Sequence, residues 1–142
     1  MGTPSCLEKQ NALKNLFDSL SSPEEKYHQV IEMGRSTPPF PKEAQCEENL
    51  VKGCQSLLYL KVETVDGILK ILTSSDALIS AGLAALLAQV YNGELPETVI
   101  KYPPLFLKEV GLLDALSPSR ANGLKSLYQA LCIESVKLIK KG

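Results

Sequence analysis

Apolar residues recur at helical spacing near the start of the chain and predict two amphipathic helices. The first helix is expected from about residue 5 to residue 20, and its apolar stripe consists of Leu13, Leu16, Phe17 and Leu20. A second helix follows, because Ser22 suits an N-cap, Pro23 suits the first helical position and Glu25 completes a capping box. The pattern ends this helix at Gly34.

The spacing of apolar residues changes in the middle of the chain, where the pattern predicts a loop and then a β-hairpin. Residues 35–49 include Pro38, Pro39 and Pro41, which favour an ordered or semi-extended loop. Strands are predicted at residues 57–63 and 68–72, joined by a turn at residues 65–67 that contains a glycine. Because an isolated hairpin is marginally stable, residues 50–53 are expected to add a short third strand.

The second half of the chain is predicted to be helical. Ser74, Ser75 and Asp76 predict the cap of a helix that is apolar nearly all round, which is typical of a central buried helix. Short helices are expected after Pro96 and Pro104.

A long last helix is predicted to open at Ser117 and Pro118. Its buried side chains are expected to be Leu124, Leu127, Tyr128 and Leu131, and its final lysines complement the helix dipole. The order of elements therefore predicts an α+β fold in which a small antiparallel sheet of about three strands packs against several α-helices.

Composition indicates one ordinary globular domain spanning residues 1–142. Hydrophobic residues make up 44% of the chain and charged residues 22%. The net charge of -1, with lysines and arginines scattered, argues against nucleic acid as a partner. The first 30 residues have no apolar signal region, and the apolar run at residues 77–91 is too short to cross a membrane. A cytoplasmic location is therefore expected.

Four cysteines carry the candidate chemistry. Cys6, Cys46, Cys54 and Cys132 form no CxxC pair, and His28 is the only histidine. Neither a disulfide framework nor a structural zinc site is expected from such spacing.

Cys54 has the most suggestive surroundings of the four. Gly53 precedes it and permits unusual backbone angles, and the pair lies where a loop leads into the hairpin. Lys52 and free backbone N–H groups would favour a thiolate, although a small buried hydrophobe is an equally good interpretation. Cys132 is expected in the core, Cys6 near a frayed terminus and Cys46 in the proline-rich loop.

Three charged or titratable residues have both a functional and an ordinary interpretation. Arg120 falls in the first turn of the last helix, where the dipole disfavours a cation, so it is either a site residue or a solvated or paired side chain. Asp76 either caps a helix or belongs to a site. His28 is either a general base or a surface residue on a charged helix.

The segment from Asn49 to Ser56, followed by Tyr59, resembles the sulfur-acceptor motif of the SufE family, the Fe-S metabolism associated domain. Three further blocks resemble the family in the same order. They begin at Glu24, Ser75 and Leu116, and they end at Gly34, Leu83 and Gly123. Together the blocks cover residues 13–135, which is the expected core of the domain.

The resemblance implies a SufE/IscU-like fold and a persulfide carrier. In such a protein Cys54 accepts sulfur from a SufS-like cysteine desulfurase that contains pyridoxal phosphate. It passes the sulfur to an iron–sulfur scaffold and stimulates the desulfurase, without a metal or cofactor of its own and without being an enzyme. Asp76 and Arg120 match acidic and basic positions near the family's site. Cys46 is an additional thiol, and its role stays open.

A carrier would also shield its persulfide, so Cys54 is expected to be partly buried against Leu57 and Tyr59. Two other functions remain as alternatives. A cysteine-dependent hydrolase would need a base, for which His28 is the candidate. A cluster-binding scaffold would need several cysteine ligands close together.

Overall fold

Helices and one β-hairpin form the α+β fold that the sequence pattern predicts. The computed structural model describes residues 5–54 and 56–141. The helices are α1 (Cys6–Asp18), α2 (Pro23–Arg35), α3 (Leu78–Tyr91), α4 (Pro96–Lys101), α5 (Phe106–Glu109), α6 (Leu112–Ala115) and α7 (Pro118–Lys141). The strands are β1 (Leu58–Val65) and β2 (Ile68–Ser75), and two short 3₁₀ turns lie at Lys42–Ala44 and Glu47–Asn49.

The predicted start of α2 is confirmed and the helix ends one residue past Gly34, but Gly34 is not the residue that stops it. Ser22 caps the helix by accepting the Glu25 N–H at 3.2 Å. Gly34 lies inside α2, where the helix packs against α3, and a Cβ there would come within 2.8 Å of the Gly82 nitrogen. Gly34 therefore allows two helices to approach closely and does not end α2.

The hairpin is confirmed, whereas the third strand is reduced to one bridge. Asp66 and Gly67 both have positive φ, as a type I′ turn requires, and Val65 pairs with Ile68 across it. Within the described residues the sheet has two strands. Leu50 bridges to Tyr59, and the ladder stops because the chain turns away at Gly53, where φ is 92°.

The apolar helix α3 is central, as expected, but its predicted cap is wrong. From Leu83 to Val90 its aliphatic side chains are almost fully buried between α2, the hairpin and α7, whereas Leu78 in the first turn is exposed. Ala77 is the N-cap, and its methyl group cannot accept a cap bond. Asp76 lies one residue before the cap and accepts the Leu57 N–H instead. No helix in the described part of the chain is long and apolar enough to cross a membrane.

The long helix α7 begins as predicted and forms one wall of the molecule. The Ser117 hydroxyl accepts the Arg120 N–H at 3.3 Å. Leu124, Leu127 and Leu131 are buried along its inner face. The same face packs against β1 and α3, so α7 lies beside the loop that carries Cys54.

Candidate functional site

The loop that leads into β1 is held against α7 at a glycine. Gly53 has φ of 92°, a conformation that other residues rarely adopt. A Cβ at this position would lie 2.6 Å from the Ser126 Oγ of α7. Both the backbone angle and the close approach therefore require glycine directly before Cys54, as the sequence suggested.

The Cys54 thiol is half-buried and faces α7. Its Sγ lies 3.6 Å from the Gly123 carbonyl oxygen, to which the thiol donates a weak hydrogen bond. Burial raises the pKa of the Cys54 thiol. The expectation that Lys52 would favour a thiolate is therefore wrong for this conformation, because Lys52 is exposed and borders a different groove.

Cys54 borders a cavity of about 150 Å³ between the loop, α3 and α7. The apolar wall consists of Leu58, Ala77, Leu83, Leu124 and Leu127. The polar lining consists of Ser56, Ser80, Ser119 and Arg120, together with the backbone at Gly123. The thiol is thus shielded, but by different residues than expected. Leu57 is 49% exposed, and Tyr59 packs against Phe40.

The cavity also receives the N-terminal turns of two long helices. Ala77 and Ser80 come from the start of α3, and Ser119 and Arg120 come from the start of α7. The positive ends of both helix dipoles therefore lie near Cys54, which favours an anion there. Burial acts in the opposite direction and raises the pKa of the resting thiol.

Asp76 holds the loop and does not border the cavity. Its carboxylate accepts the Leu57 N–H at 3.0 Å, and the Ser75 hydroxyl donates to the Leu57 carbonyl oxygen at 2.7 Å. Asp76 is exposed, and the ion pairs found in residues 5–54 and 56–141 do not include one between Asp76 and Arg120. The structure thus places Asp76 at the end of the loop, where it fixes the position of Leu57.

Arg120 lies at the cavity with Cys54. The helix start at Ser117 directs it into the first turn of α7, as predicted, and its side chain is exposed. A cation at this position adds to the positive ends of the two helices. Arg120 is therefore placed to attract an anion at the mouth of the cavity, and its role in function stays a prediction.

The remaining thiols and the histidine lie away from this cavity. Cys46 is exposed on the opposite side of the loop, and Cys6 is buried at the start of α1 and not frayed. Cys132 is half-buried within α7, and burial raises its pKa. His28 is exposed on α2 and does not border the cavity, so the candidate base of the hydrolase alternative does not lie beside Cys54.

The ligands that a metal or cluster scaffold needs are not gathered in the described residues. Groups of three or more histidine, cysteine or acidic side chains with metal-binding geometry are not found in residues 5–54 and 56–141. The four cysteines are all free in this structure.

Three residues of the site had no clear signal of their own in the sequence. Ser80 reaches the cavity from α3, 24 residues from its hydrogen-bond partner Ser56. Gly123 and Ser126 contact the loop from α7. Gly123 belongs to the block that resembles the family, but its contact with Cys54 depends on the packing of distant segments.

Comparisons with known proteins agree with this architecture. The family model described as "SufE: Fe-S metabolism associated domain" matches residues 11–133. A solution structure of a hypothetical protein from Thermus thermophilus superimposes with a TM-score of 0.79 at 26% identity, covering 93% of this chain and 96% of that one.

Relatives in three other organisms support the same assignment. A SufE-like protein of Synechocystis sp. is 32% identical over 84% of this chain and 76% of its own length. A SufE-like protein of Rhizobium meliloti is 32% identical over 84% of this chain and 89% of its own length. SufE-like protein 1, chloroplastic/mitochondrial, of Arabidopsis thaliana is 30% identical over 94% of this chain but only 36% of its own length. With a family match over most of its residues, the chain belongs to the SufE family, the Fe-S metabolism associated domain.

Proposed function

We propose that this chain is a sulfur carrier in which Cys54 accepts a persulfide sulfur from a cysteine desulfurase and delivers it to iron–sulfur cluster assembly. The observation that supports the proposal is the half-buried Cys54 thiol, held on a loop beside a cavity with apolar walls. Membership of a family associated with Fe-S metabolism points to the same role. The donor is a SufS-like enzyme, and the acceptor is an iron–sulfur scaffold.

The transfer step is a thiol exchange with no net oxidation. Cys54 loses its proton, and its thiolate attacks the outer sulfur of the persulfide on the donor cysteine. A new sulfur–sulfur bond forms on Cys54, the donor's sulfur–sulfur bond breaks, and the donor thiolate leaves and takes up a proton. Cleavage of the carbon–sulfur bond belongs to the desulfurase and its pyridoxal phosphate. The carrier thus acts as an accessory protein without a metal or cofactor of its own.

The resting structure suits storage better than attack. Because burial raises the pKa of Cys54, the thiol is mostly protonated at neutral pH and reacts slowly with other molecules. The hydrogen bonds of Leu57 to Asp76 and Ser75 hold the loop in this state. Binding to the desulfurase would release these contacts and expose the thiol for in-line attack.

Arg120 and Asp76 support the site in different ways under this proposal. Arg120 binds an acidic group of the desulfurase or favours the thiolate once the loop has moved, because its exposed guanidinium lies at the mouth of the cavity. Asp76 fixes the resting loop through Leu57. Removal of sulfur from the desulfurase by Cys54 then accelerates the partner's turnover.

We also propose that the exchange takes place in the cytoplasm, without a membrane or nucleic acid as partner. Free cysteines are typical of proteins in a reducing compartment, and all four cysteines are free here.

The proposal is tested by measuring sulfide release from cysteine by the desulfurase in the presence of a reductant. Wild-type carrier should stimulate the release, and Cys54→Ser should remove the stimulation completely. Cys46→Ser is the matched control, since Cys46 is an exposed thiol eight residues away on the same segment. Stimulation by Cys54→Ser at the wild-type level would reject the carrier role of this residue.

A further inference from the structure

Two hydroxyl groups meet at the cavity beside Cys54. Ser56 follows the cysteine in the loop, and Ser80 lies in the first turn of α3. Their oxygens are 2.9 Å apart, and both residues border the cavity. Neither serine was assigned a role by the sequence pattern or by the exchange step described above.

One hydroxyl hydrogen of the pair has no acceptor within the described residues. A hydroxyl carries one hydrogen, so one serine donates to the other and the second hydrogen is left for another acceptor. Among the hydrogen bonds of residues 5–54 and 56–141, each of these two hydroxyl oxygens has only the other as its partner. The second hydroxyl hydrogen is therefore available to an acceptor in the cavity next to Cys54.

A persulfide on Cys54 would place a new acceptor in this cavity. The added sulfur extends the side chain by one bond of about 2 Å. The cavity of about 150 Å³ is larger than the roughly 30 Å³ that one water molecule occupies in the liquid, so an extra sulfur atom fits. A persulfide is more acidic than the parent thiol, so its outer sulfur is an anion that needs hydrogen-bond donors. The Gly123 carbonyl beside Cys54 is an acceptor and does not serve this purpose.

We propose that Ser56 and Ser80 form the binding site for the outer sulfur of the Cys54 persulfide. In the empty carrier the two hydroxyls bond to each other, and in the loaded carrier they turn to donate to the sulfur anion. The inference rests on the proposed function, because it concerns the loaded form of the same cysteine. It assigns storage of the sulfur to Ser56 and Ser80, and leaves Arg120 at the exposed mouth of the cavity.

The inference is tested on protein loaded without a desulfurase. Inorganic polysulfide transfers one sulfur to the Cys54 thiolate and is itself shortened by one sulfur, so charge and electrons balance. Loading is checked by an intact-mass increase of about 32 Da that a reductant removes. A Cys46→Ser background removes the exposed second thiol. The pH dependence of alkylation of the loaded sulfur then gives the midpoint of its ionisation.

The direction in which the ionisation midpoint of the outer sulfur shifts shows whether a serine donates to the sulfur or only holds the loop. Loss of a donor to an anion disfavours the anion, so Ser56→Ala and Ser80→Ala should each raise the midpoint. A tenfold loss of the ionised fraction at a fixed pH corresponds to a rise of about one pH unit. A serine that only tethers the loop would give the opposite result, because loosening the loop exposes the sulfur to water and lowers the midpoint.

Two further variants serve as controls. Ser80→Thr keeps the hydroxyl and should titrate like wild type. Ser75→Ala removes a hydrogen bond to Leu57 from a residue that does not border the cavity, so it loosens the loop and should not raise the midpoint. If the alanine variants of Ser56 and Ser80 load normally and the midpoint of sulfur ionisation is unchanged or lowered, the role of the two serines is overturned. The proposed function of Cys54 is not affected by that result. Loading by polysulfide but not by the desulfurase would count against the proposed function. Because the resting thiol reacts slowly, the loading is carried out for hours at alkaline pH, and failure of polysulfide to add sulfur to Cys54 even then would overturn the inference, since the cavity would not accept a second sulfur on Cys54.

Discussion

Cys54 and Cys132 are buried to a similar extent but lie in different kinds of structure. Both thiols are half-buried, and burial raises the pKa of each. Cys54 is on a loop beside a cavity with a polar lining, whereas Cys132 is inside the 24-residue helix α7 next to Tyr128. Burial and thiol pKa therefore do not separate the two cysteines, whereas the backbone around them does.

The two regions also differ in what it takes to expose the thiol. Cys132 lies within a long helix that packs on β1 and α3, so its main chain is fixed by the hydrogen bonds of that helix. The loop around Cys54 is fixed by a few contacts, chiefly the bonds of Leu57 to Asp76 and Ser75. Segments held by few hydrogen bonds open at low free-energy cost, so we expect the loop around Cys54 to open more readily than helix α7.

The largest expected difference between the two regions is in alkylation by iodoacetamide. Both thiols should react slowly in the free protein. Added desulfurase should accelerate the reaction of Cys54 roughly tenfold or more, since release of two loop hydrogen bonds of about 1 kcal/mol each exposes the thiol. Peptide mapping measures each site separately, and Cys132 is the internal control. Rapid alkylation of Cys54 without the partner would show that the cavity does not shield it.

The pH dependence of alkylation by iodoacetamide tests whether burial raises the pKa of the Cys54 thiol. Because burial raises the pKa of Cys54, its thiolate fraction at neutral pH is lower than that of an ordinary cysteine. The alkylation rate of the free protein should therefore rise with pH and reach half its maximum above the usual range of a thiol. In the presence of the desulfurase this midpoint should fall, since exposure removes the desolvation. A midpoint below the usual range in the free protein would reverse our account of the resting thiol.

A smaller effect, on the free energy of unfolding, is expected when a substitution at Gly53 strains the loop. Gly53→Ala introduces a side chain at a φ of 92° and 2.6 Å from the Ser126 hydroxyl oxygen. The free energy of unfolding should fall by about 1–3 kcal/mol, the usual cost of such backbone strain. Gly123→Ala is the matched control, because its Cβ would lie 3.5 Å from the Cys54 sulfur in an ordinary helical position. Equal stability of Gly53→Ala and wild type in a denaturant titration would remove the argument for a glycine before Cys54.

Arg120→Ala should change stability least. Removal of a cation from a helix N-terminus is worth at most about 1 kcal/mol in favour of folding, so the melting curve should stay close to that of wild type. Stimulation of desulfurase sulfide release should nevertheless fall, since Arg120 borders the cavity with Cys54. Lys125→Ala, an exposed cation one turn further along α7, is the control. A variant that both melts and stimulates normally would make Arg120 an ordinary surface residue.

Local sequence signals predicted the elements well where a residue's partner lies nearby in the chain. The cap at Ser22 and the turn at Asp66 and Gly67 depend on neighbours within a few residues, and both were predicted correctly. Asp76 was misread as a cap because its hydrogen-bond partner, Leu57, lies 19 residues away. The pattern also suggested that Gly34 ends a helix, whereas it allows α2 to approach α3.

The candidate site could be predicted only in part for the same reason. Cys54, Gly53 and Arg120 lie in segments whose local pattern or family resemblance drew attention to them. The residues that form the cavity around Cys54 come from β1, α3 and α7, and their packing has no counterpart in the local pattern. Leu57 was expected to shield the thiol because it is close in sequence, yet it is not among the residues that line the cavity and is 49% exposed.

The most direct test of the carrier role is the intact mass of the protein after incubation with a cysteine desulfurase and cysteine. Wild type and Cys132→Ser should each gain sulfur in steps of about 32 Da that a reductant removes. Cys54→Ser should gain none, although its other three thiols are unchanged. The same additions on Cys54→Ser at the wild-type level would contradict the account, since the sulfur would then reside on another residue.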